Sequence, residues 1–308
     1  MTASFPAWAW IAFTLTAATL QAFRTAAQKW LGGTLTTGAA TYVRYLFALP
    51  FAAAWALILV IVFDIEVPLP GAESFAYAAA NAGTQIAGTA FLLMALQSRN
   101  FAVGVAYSKT DVVQAAVFEA LVLGAAVTWG AAVGIAIATF AVMLMSLKSG
   151  AKPLEAMLAG VTEKTAIYGL LSGASFAISG VMVRAAVLHY PADVPLAGAA
   201  VSALLTVLTL QVVFMGAFLL WREPGTFAAI GRSWKPALFA GAAGGVGSIC
   251  WFLALGLQQV AYVRTLGLVE ILGTIAISRL LFKERPRRRE IAGILILLVG
   301  IALVLNAG

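Results

Sequence analysis

Long apolar stretches separated by short polar ones follow one another along the whole chain. A helix needs about 20 mostly apolar residues to cross the hydrocarbon core of a bilayer, and ten stretches come close to that length. The predicted spans are Trp8–Leu31, Ala39–Phe63, Phe75–Leu96, Phe101–Leu123, Trp129–Leu147, Ala166–Leu188, Leu196–Trp221, Pro236–Leu257, Tyr262–Phe282 and Ile291–Asn306. We therefore predict an all-α polytopic membrane protein with ten transmembrane helices.

Polar residues interrupt the fourth of these spans near its middle. They are Tyr107, Ser108, Lys109, Thr110, Asp111, Gln114 and Glu119. A charged group at the centre of a bilayer helix costs about 2.5–3.5 kcal/mol on insertion scales, so it normally faces a partner or a water-filled cavity. On a continuous helix Tyr107, Asp111 and Gln114 share one face. We therefore predict that this span is a wall of a translocation pathway, with Glu119 near the outer surface.

The two halves of the chain resemble each other. When the first half is shifted by 159 positions, Asp111 in the fourth span meets Glu270 in the ninth. With a change of register of one residue, Arg24 in the first span meets Arg184 in the sixth. The coincidence of both intramembrane acids and both intramembrane arginines indicates an internal repeat.

Each half contains an odd number of predicted helices, so the two copies must cross the membrane in opposite senses. Inverted repeats are typical of secondary transporters, with the binding site at the repeat interface near the middle of the membrane. We predict a first five-helix repeat at 1–150, a cytoplasmic linker at 151–165 and a second, inverted five-helix repeat at 166–308.

Composition and charge narrow the class of protein. Of the 308 residues, 62% are hydrophobic and 10% are charged, whereas about 25% are charged in an average soluble domain. The net charge of +7 does not indicate a nucleic-acid partner, because the basic residues lie in short loops between spans. The lone cysteine, Cys250, excludes an intramolecular disulfide and a cysteine metal site.

The basic residues also predict the orientation. They concentrate in alternate loops, which are those that contain Lys148, Lys152, Lys164, Arg222, Arg232, Lys235 and Lys283. The positive-inside rule places these loops in the cytoplasm. Both termini are then expected outside.

Several spans carry polar stripes, which predict a shared polar interior. The stripes are Thr14, Gln21, Arg24 and Gln28 in the first span, Asn81, Thr84, Gln85 and Gly88 in the third, Gly241 to Trp251 in the eighth, and Tyr262, Arg264, Glu270 and Thr274 in the ninth. The third, fourth, eighth and ninth spans are the equivalent hairpins of the two repeats. We expect a central cavity between the repeats.

The candidate substrate-binding residues are Arg24, Asn81, Gln85, Tyr107, Lys109, Asp111, Phe176, Trp251 and Glu270. An amino acid needs a cation or amide for its carboxylate, an acceptor for its ammonium group and an apolar slot for its ring. Arg24, Gln85 and Lys109 could supply the first. Asp111 or Glu270 could supply the second, and Tyr107, Phe176 and Trp251 could supply the third.

Each assignment has a structural alternative. Polar side chains also join membrane helices through hydrogen bonds worth about 0.6–2 kcal/mol. Arg24 with Asp111, and Arg184 with Glu270, could be purely structural ion pairs.

The sequence shows no arrangement of residues that indicates an enzyme. It has no histidine or cysteine cluster for a metal and no Gly-Lys-Ser loop for phosphate. We expect no catalytic activity, no metal and no cofactor, and therefore no ATP-driven transport by this chain alone.

The end of the chain resembles a known family. The segment Ala254 to Leu305, with Lys283–Glu284 followed by Gly293–Ile294 and Gly300, is similar to the end of an EamA repeat of the drug/metabolite transporter superfamily. Phe101–Ser146 resembles a more diverged copy, without the Lys-Glu pair. The polar run from Tyr107 to Asp111 makes the chain look most like bacterial aromatic amino acid exporters within that superfamily.

The resemblance implies alternating access by rocking of helix bundles around a central site, with efflux across the inner membrane of a bacterium. We expect a secondary exporter of small metabolites, with aromatic amino acids as substrates, that functions as a monomer in the lipid bilayer. The main alternative is a proton-coupled multidrug exporter of planar cations, in which Asp111 and Glu270 exchange protons. A nucleotide-sugar or sugar-phosphate carrier ranks lower, because the predicted cavity has few cations.

Overall fold

The structure is a computed structural model that describes residues 5–31, 35–96, 101–146, 164–273, 275–276 and 288–307. The regular secondary structure of these residues is α-helical. The predicted linker at 151–165 lies outside the described residues except for its last two positions.

In chain order, the helices are α1 (Ala9–Leu31), α2 (Thr37–Phe63), α3 (Ala72–Leu96), α4 (Phe101–Ser108), α5 (Asp111–Leu123), α6 (Trp129–Ser146), α7 (Lys164–Leu188), α8 (Leu196–Arg222), α9 (Thr226–Arg232), α10 (Trp234–Leu257), α11 (Val260–Gly267) and α12 (Arg288–Ala307). Residues 270–273 are also helical. Within the described residues, α2, α7, α8, α10 and the part of α12 from Glu290 are each long and apolar enough to cross a membrane. The chain is therefore a multi-pass membrane protein.

Local capping explains where α2 begins and ends. The hydroxyl of Thr36 accepts a hydrogen bond from the backbone N–H of Ala39 at 3.2 Å. This contact satisfies one of the donors that the first turn of a helix leaves open. At the other end Asp64 adopts a left-handed conformation with φ of 54°, which terminates the helix. The observed helix begins two residues before the predicted span and ends at the same residue.

The fourth predicted span is interrupted, and the prediction of a single helix was wrong there. Helix α4 ends at Ser108, residues 109–110 form a turn, and α5 begins at Asp111. The carbonyl of Tyr107 accepts from the backbone N–H of Thr110 at 3.1 Å and from the Thr110 hydroxyl at 2.6 Å, so this acceptor at the end of α4 is satisfied within the turn. Tyr107 and Asp111 belong to different helices and do not share one continuous helical face.

The ninth predicted span is interrupted in the same way. Helix α11 ends at Gly267, residues 268–269 form a turn, and the chain is helical again from Glu270. Helices α4 and α11 both have 8 residues, and α2 and α8 both have 27. In each pair the second helix begins and ends 159 positions after the first, which is the spacing of the repeat found in the sequence.

The chain divides into two compact units, and each combines segments from both halves of the sequence. The first unit comprises Met1–Ala82, Val183–Leu257 and Val269–Leu281. The second comprises Gly83–Met182, Gln258–Leu268 and Phe282–Gly308. The compact units are thus different from the two sequence repeats.

In the first unit, α10 packs against α1, α2 and α8. A Cβ atom added at Gly241 would collide with Phe47 of α2, and one at Gly245 would lie 3.1 Å from the carbonyl oxygen of Ala48. These glycines let the backbones of α10 and α2 approach closely, as small residues commonly do in membrane helices.

In the second unit, α6 packs against α12 and α5 packs against α11. The contact between α6 and α12 depends on two facing glycines. A Cβ atom added at Gly134 would lie 2.8 Å from the carbonyl oxygen of Gly300, and one at Gly300 would lie 2.8 Å from that of Gly134. Neither position can take a side chain unless the helices separate.

Candidate functional site

The predicted site residues divide between the two compact units. Arg24, Asn81, Trp251 and Glu270 lie in the first unit, and Gln85, Tyr107, Lys109, Asp111 and Phe176 lie in the second.

In the first unit, Gln21 links two predicted site residues. Its side-chain nitrogen donates a short hydrogen bond to the carboxylate of Glu270. Its side-chain oxygen accepts one from the indole Nε1 of Trp251 at 3.2 Å. Gln21 was recognised in the sequence as part of a polar stripe but not as a site residue. Its partners lie about 230 and 249 positions away along the chain, so local periodicity could not reveal them.

Arg24 lies on α1 one turn after Gln21 and belongs to the same cluster. Its charge interacts with the carboxylate of Glu270 and with the guanidinium of Arg44 on α2. The Nε atom of Arg24 is buried and has no hydrogen-bond partner among the described residues. A Cβ atom at Gly244 would lie 3.2 Å from Cδ of Arg24, so this glycine leaves the space that the arginine occupies.

Arg44 of α2 is a second cation of this cluster that was not predicted from the sequence to be a site residue. Its Nη2 donates to the hydroxyl of Tyr45 at 2.9 Å, and its guanidinium lies 4.6 Å from the centre of the Tyr45 ring. The charge of Arg24 thus interacts both with a second cation, Arg44, and with one carboxylate, that of Glu270. We name the group Gln21, Arg24, Arg44, Trp251 and Glu270 the arginine cluster.

Asn81 and Arg184 are the remaining residues of interest in the first unit. Asn81 on α3 is fully buried. The guanidinium of Arg184, on α7, donates to the carbonyl of Leu255 at the end of α10 at 2.7 Å. This bond satisfies a backbone acceptor near the end of a buried helix. Arg184 therefore has a structural role in joining α7 to α10.

In the second unit, Asp111 forms an ion pair with Arg264 of α11. Arg264 Nη1 lies 3.9 Å from the carboxylate of Asp111, and Nη2 donates to the carbonyl of Phe176 on α7 at 2.9 Å. The alternative raised from the sequence paired Asp111 with Arg24. The structure gives Asp111 an ion-pair partner in the ninth span, Arg264.

The aromatic residues of the second unit pack tightly. Tyr107 is buried and lies in a core cluster with Ala106, Met143 and Ala166. The ring of Phe176 lies against α3, where a Cβ atom at Gly88 would be 3.0 Å from its Cδ1. Two half-buried residues, Gln85 on α3 and Lys109 in the turn between α4 and α5, complete the predicted group in this unit.

Glu119 is buried inside the protein, and its place near the outer membrane surface stays a prediction. Its side chain is fully buried, and its Oε2 accepts a hydrogen bond from the backbone N–H of Val260 at 2.8 Å. Val260 is the first residue of α11. Sequence periodicity gave no signal for this contact, because the two residues are 141 positions apart.

An open groove of about 700 Å³ lies in the second unit between α5, α6 and α7. Its lining is apolar except for Thr110, Gln114 and Thr139. The predicted site residues of this unit do not line it. Within the described residues, there is no group of three or more acidic, histidine or cysteine side chains that could hold a metal ion.

The sequence and the fold can be compared with those of known proteins. No curated protein matches the chain. One solved structure, described only as the crystal structure of a protein, is 12% identical and superposes with a TM-score of 0.74 over 97% of this chain and 96% of its own. At that identity the likeness shows the fold alone.

A family match covers the second part of the sequence, as the resemblance in the last helices predicted. It begins just before α7 and ends in α12. Members of this family are transporters, so the match favours a membrane transporter of small molecules. Residues 163–306 match the model of the EamA-like transporter family.

Proposed function

We propose that the chain is a secondary exporter of small metabolites, with aromatic amino acids as its substrates, and that it works by alternating access. The EamA-like domain at 163–306 supports transport of a small molecule. The single observation that carries the substrate class is the arginine cluster of the first unit, because it combines a cation, an acid and an aromatic ring on helices of a membrane protein.

The chemistry of the cluster matches the parts of an amino acid. A guanidinium binds a carboxylate through charge-assisted hydrogen bonds, and the buried Nε of Arg24 is a donor of this kind. The carboxylate of Glu270 can accept a bond from an ammonium group. Trp251 offers an indole face to an aromatic side chain, and such pairs contribute about 0.5–1.5 kcal/mol beyond their burial.

The charges of the cluster favour a ligand with a carboxylate over a planar cation. The positive charges of Arg24 and Arg44 repel each other. The negative charge of Glu270 attracts Arg24 and offsets part of this repulsion. A substrate carboxylate between the guanidiniums would lower the repulsion, whereas a cation would raise it. This is the reason to prefer an amino acid to the multidrug alternative.

The proposed topology has ten crossings in two inverted five-helix repeats. This count takes α4 and α5 as one interrupted crossing, α11 and its continuation as another, and the 7-residue α9 as a connector. We propose a bacterial inner membrane location with both termini outside. A protease added to intact spheroplasts should then remove a tag from either terminus. Protection of both tags would show that both termini face the cytoplasm.

The substrate proposal is tested by counterflow in liposomes that contain the purified protein. We expect faster uptake of labelled phenylalanine or tryptophan when the unlabelled amino acid is inside. Arg24→Gln should raise the KM by about tenfold or more, because it removes the charge that holds the carboxylate. The matched control is Arg222→Gln, which removes an exposed arginine of the same unit at the end of α8.

The same assay separates the alternatives. If no amino acid accelerates counterflow, the substrate proposal is wrong. If a planar cation is taken up under an imposed pH gradient and Asp111→Asn abolishes this uptake, the protein is a proton-coupled multidrug exporter. We expect neither a cofactor nor a second copy of the chain to be required.

A further inference from the structure

Helix α11 begins inside the protein, where its first backbone N–H groups have no water to bind. The first N–H groups of any helix lack partners within the helix, and each unsatisfied group costs several kcal/mol in a membrane interior. Val260, the first residue of α11, is fully buried. The preceding residue, Gln259, makes no side-chain capping bond to the helix. The start of α11 therefore needs an acceptor from elsewhere.

Glu119 of α5 supplies that acceptor. Its Oε2 lies 2.8 Å from the backbone nitrogen of Val260, and its side chain is fully buried. A carboxylate at the positive end of a helix also gains from the helix dipole, and charge-assisted bonds are about twice as strong as neutral ones. The cap joins two separate helices, α5 and α11.

Helix α5 contacts α11 a second time, two turns earlier, through Asp111. Glu119 contacts Val260 at the start of α11, and Asp111 pairs with Arg264 one turn later in that helix. The two contacts run in opposite order along the two helices, so α5 and α11 are antiparallel. Two fixed points on one pair of helices oppose both sliding and rotation of α11 against α5.

We propose that Glu119 is a positioning residue that fixes α11 to α5 and thereby keeps Arg264 beside Asp111. It acts through the backbone of Val260 and does not contact the substrate. The transport part of this inference rests on the proposed function, whereas the contact itself does not. The two parts can therefore fail separately.

The test removes each side of the bond in turn. Glu119→Ala removes the acceptor, and Val260→Pro removes the donor. Proline is compatible with the first position of a helix, and Gln259, with φ of −57° and ψ of 144°, already has the backbone conformation that a following proline requires. The matched control is Glu73→Ala, which removes an exposed acid in the first turn of α3.

The first measurement is hydrogen–deuterium exchange, which needs no substrate. We expect amides in α11 to exchange about tenfold faster in Glu119→Ala, as the loss of a bond to a charged group predicts, with α6 and α12 unchanged. If Glu119→Ala does not fold, the same measurement on Val260→Pro decides. Unchanged exchange of α11 in a folded variant would overturn the proposal.

The second measurement is counterflow. We expect each variant to lower the maximal rate about tenfold and to leave the KM within about twofold, which is the pattern of a residue that does not bind the substrate. The double variant should be no worse than either single one, because both changes break the same bond. A raised KM at an unchanged maximal rate, or multiplied effects in the double variant, would contradict a positioning role.

Discussion

Arg264 lies 3.9 Å from the carboxylate of Asp111 and donates to the carbonyl of Phe176 at 2.9 Å. One guanidinium thus connects α11 to α5 and to α7 within the second unit. Asp111 is the first residue of the helix that follows the break, so its carboxylate also lies at the positive end of its own helix. The ion pair therefore stabilises the interrupted span at the point where its backbone is least supported.

Asp111→Asn should destabilise the protein, because it leaves Arg264 partly buried without its ion-pair partner. Breaking a fully buried pair costs about 3–5 kcal/mol. Here the side chains are 25% and 13% exposed, so we expect a smaller loss of about 1–3 kcal/mol. The measurement is thermal or denaturant unfolding in detergent.

The control for this change is Asp64→Asn, at an exposed acid after α2 whose left-handed backbone an asparagine also tolerates. It should have little effect. The double variant Asp111→Asn with Arg264→Gln should lose less stability than the sum of the single changes. Strict additivity would mean that the two charges do not interact.

Trp251→Phe should raise the KM for tryptophan modestly, by about two- to fivefold, because it removes the N–H that binds Gln21 but keeps an aromatic ring. Trp251→Ala should raise it by about tenfold or more, since it also removes the ring. Counterflow over a range of substrate concentrations measures both. Trp234, an exposed tryptophan at the start of α10, is the control, and equal effects at Trp234 and Trp251 would exclude a specific role for the indole.

Gly134→Ala should lower the stability of the second unit by about 1–3 kcal/mol, the usual cost of overpacking. The added Cβ would lie 2.8 Å from the carbonyl oxygen of Gly300, and backbone cannot move aside as a flexible side chain can. Gly83→Ala is the matched control, because nothing lies within 4 Å of the added Cβ on α3. It should be neutral or stabilising by up to about 1 kcal/mol. Equal unfolding temperatures for the two variants would contradict the close contact of α6 with α12.

Cys250 should react slowly with a water-soluble maleimide in the folded protein and quickly after unfolding. It is the only cysteine in the sequence and is buried within α10. Mass spectrometry of the intact protein gives the labelled fraction without ambiguity. Complete labelling before denaturant is added would show that α10 is less covered than its packing against α1, α2 and α8 indicates.

The sequence predicted the continuous helices closely, because an apolar run of fixed length has few alternatives in a membrane. The predicted span Leu196–Trp221 differs from α8 by one residue at its end. The prediction failed at the two interrupted spans. The first break has polar residues around it, but the second falls at Leu268 and Val269, which are apolar. Only the repeat relation could have pointed to it.

The partners of the charged residues were not predictable from a single sequence. Glu119 with Val260, and Gln21 with Glu270, join helices that are far apart along the chain. Periodicity assigns a residue to a face of its own helix, whereas the partner depends on how separate helices pack. The sequence therefore singled out Asp111 and Glu270 but placed each within an uninterrupted helix, whereas each is the first helical residue after a break.

The equal lengths of α2 and α8 and of α4 and α11, at one constant spacing, have an evolutionary meaning. They indicate a gene duplication after which the chain length from α2 through α4 was kept in both copies, while the side chains diverged. Lys109 corresponds to Leu268 by this spacing, so one half carries a charge in the turn where the other half carries an apolar residue. The break between the two helices is thus common to both halves of the chain, whereas the charge beside it is not.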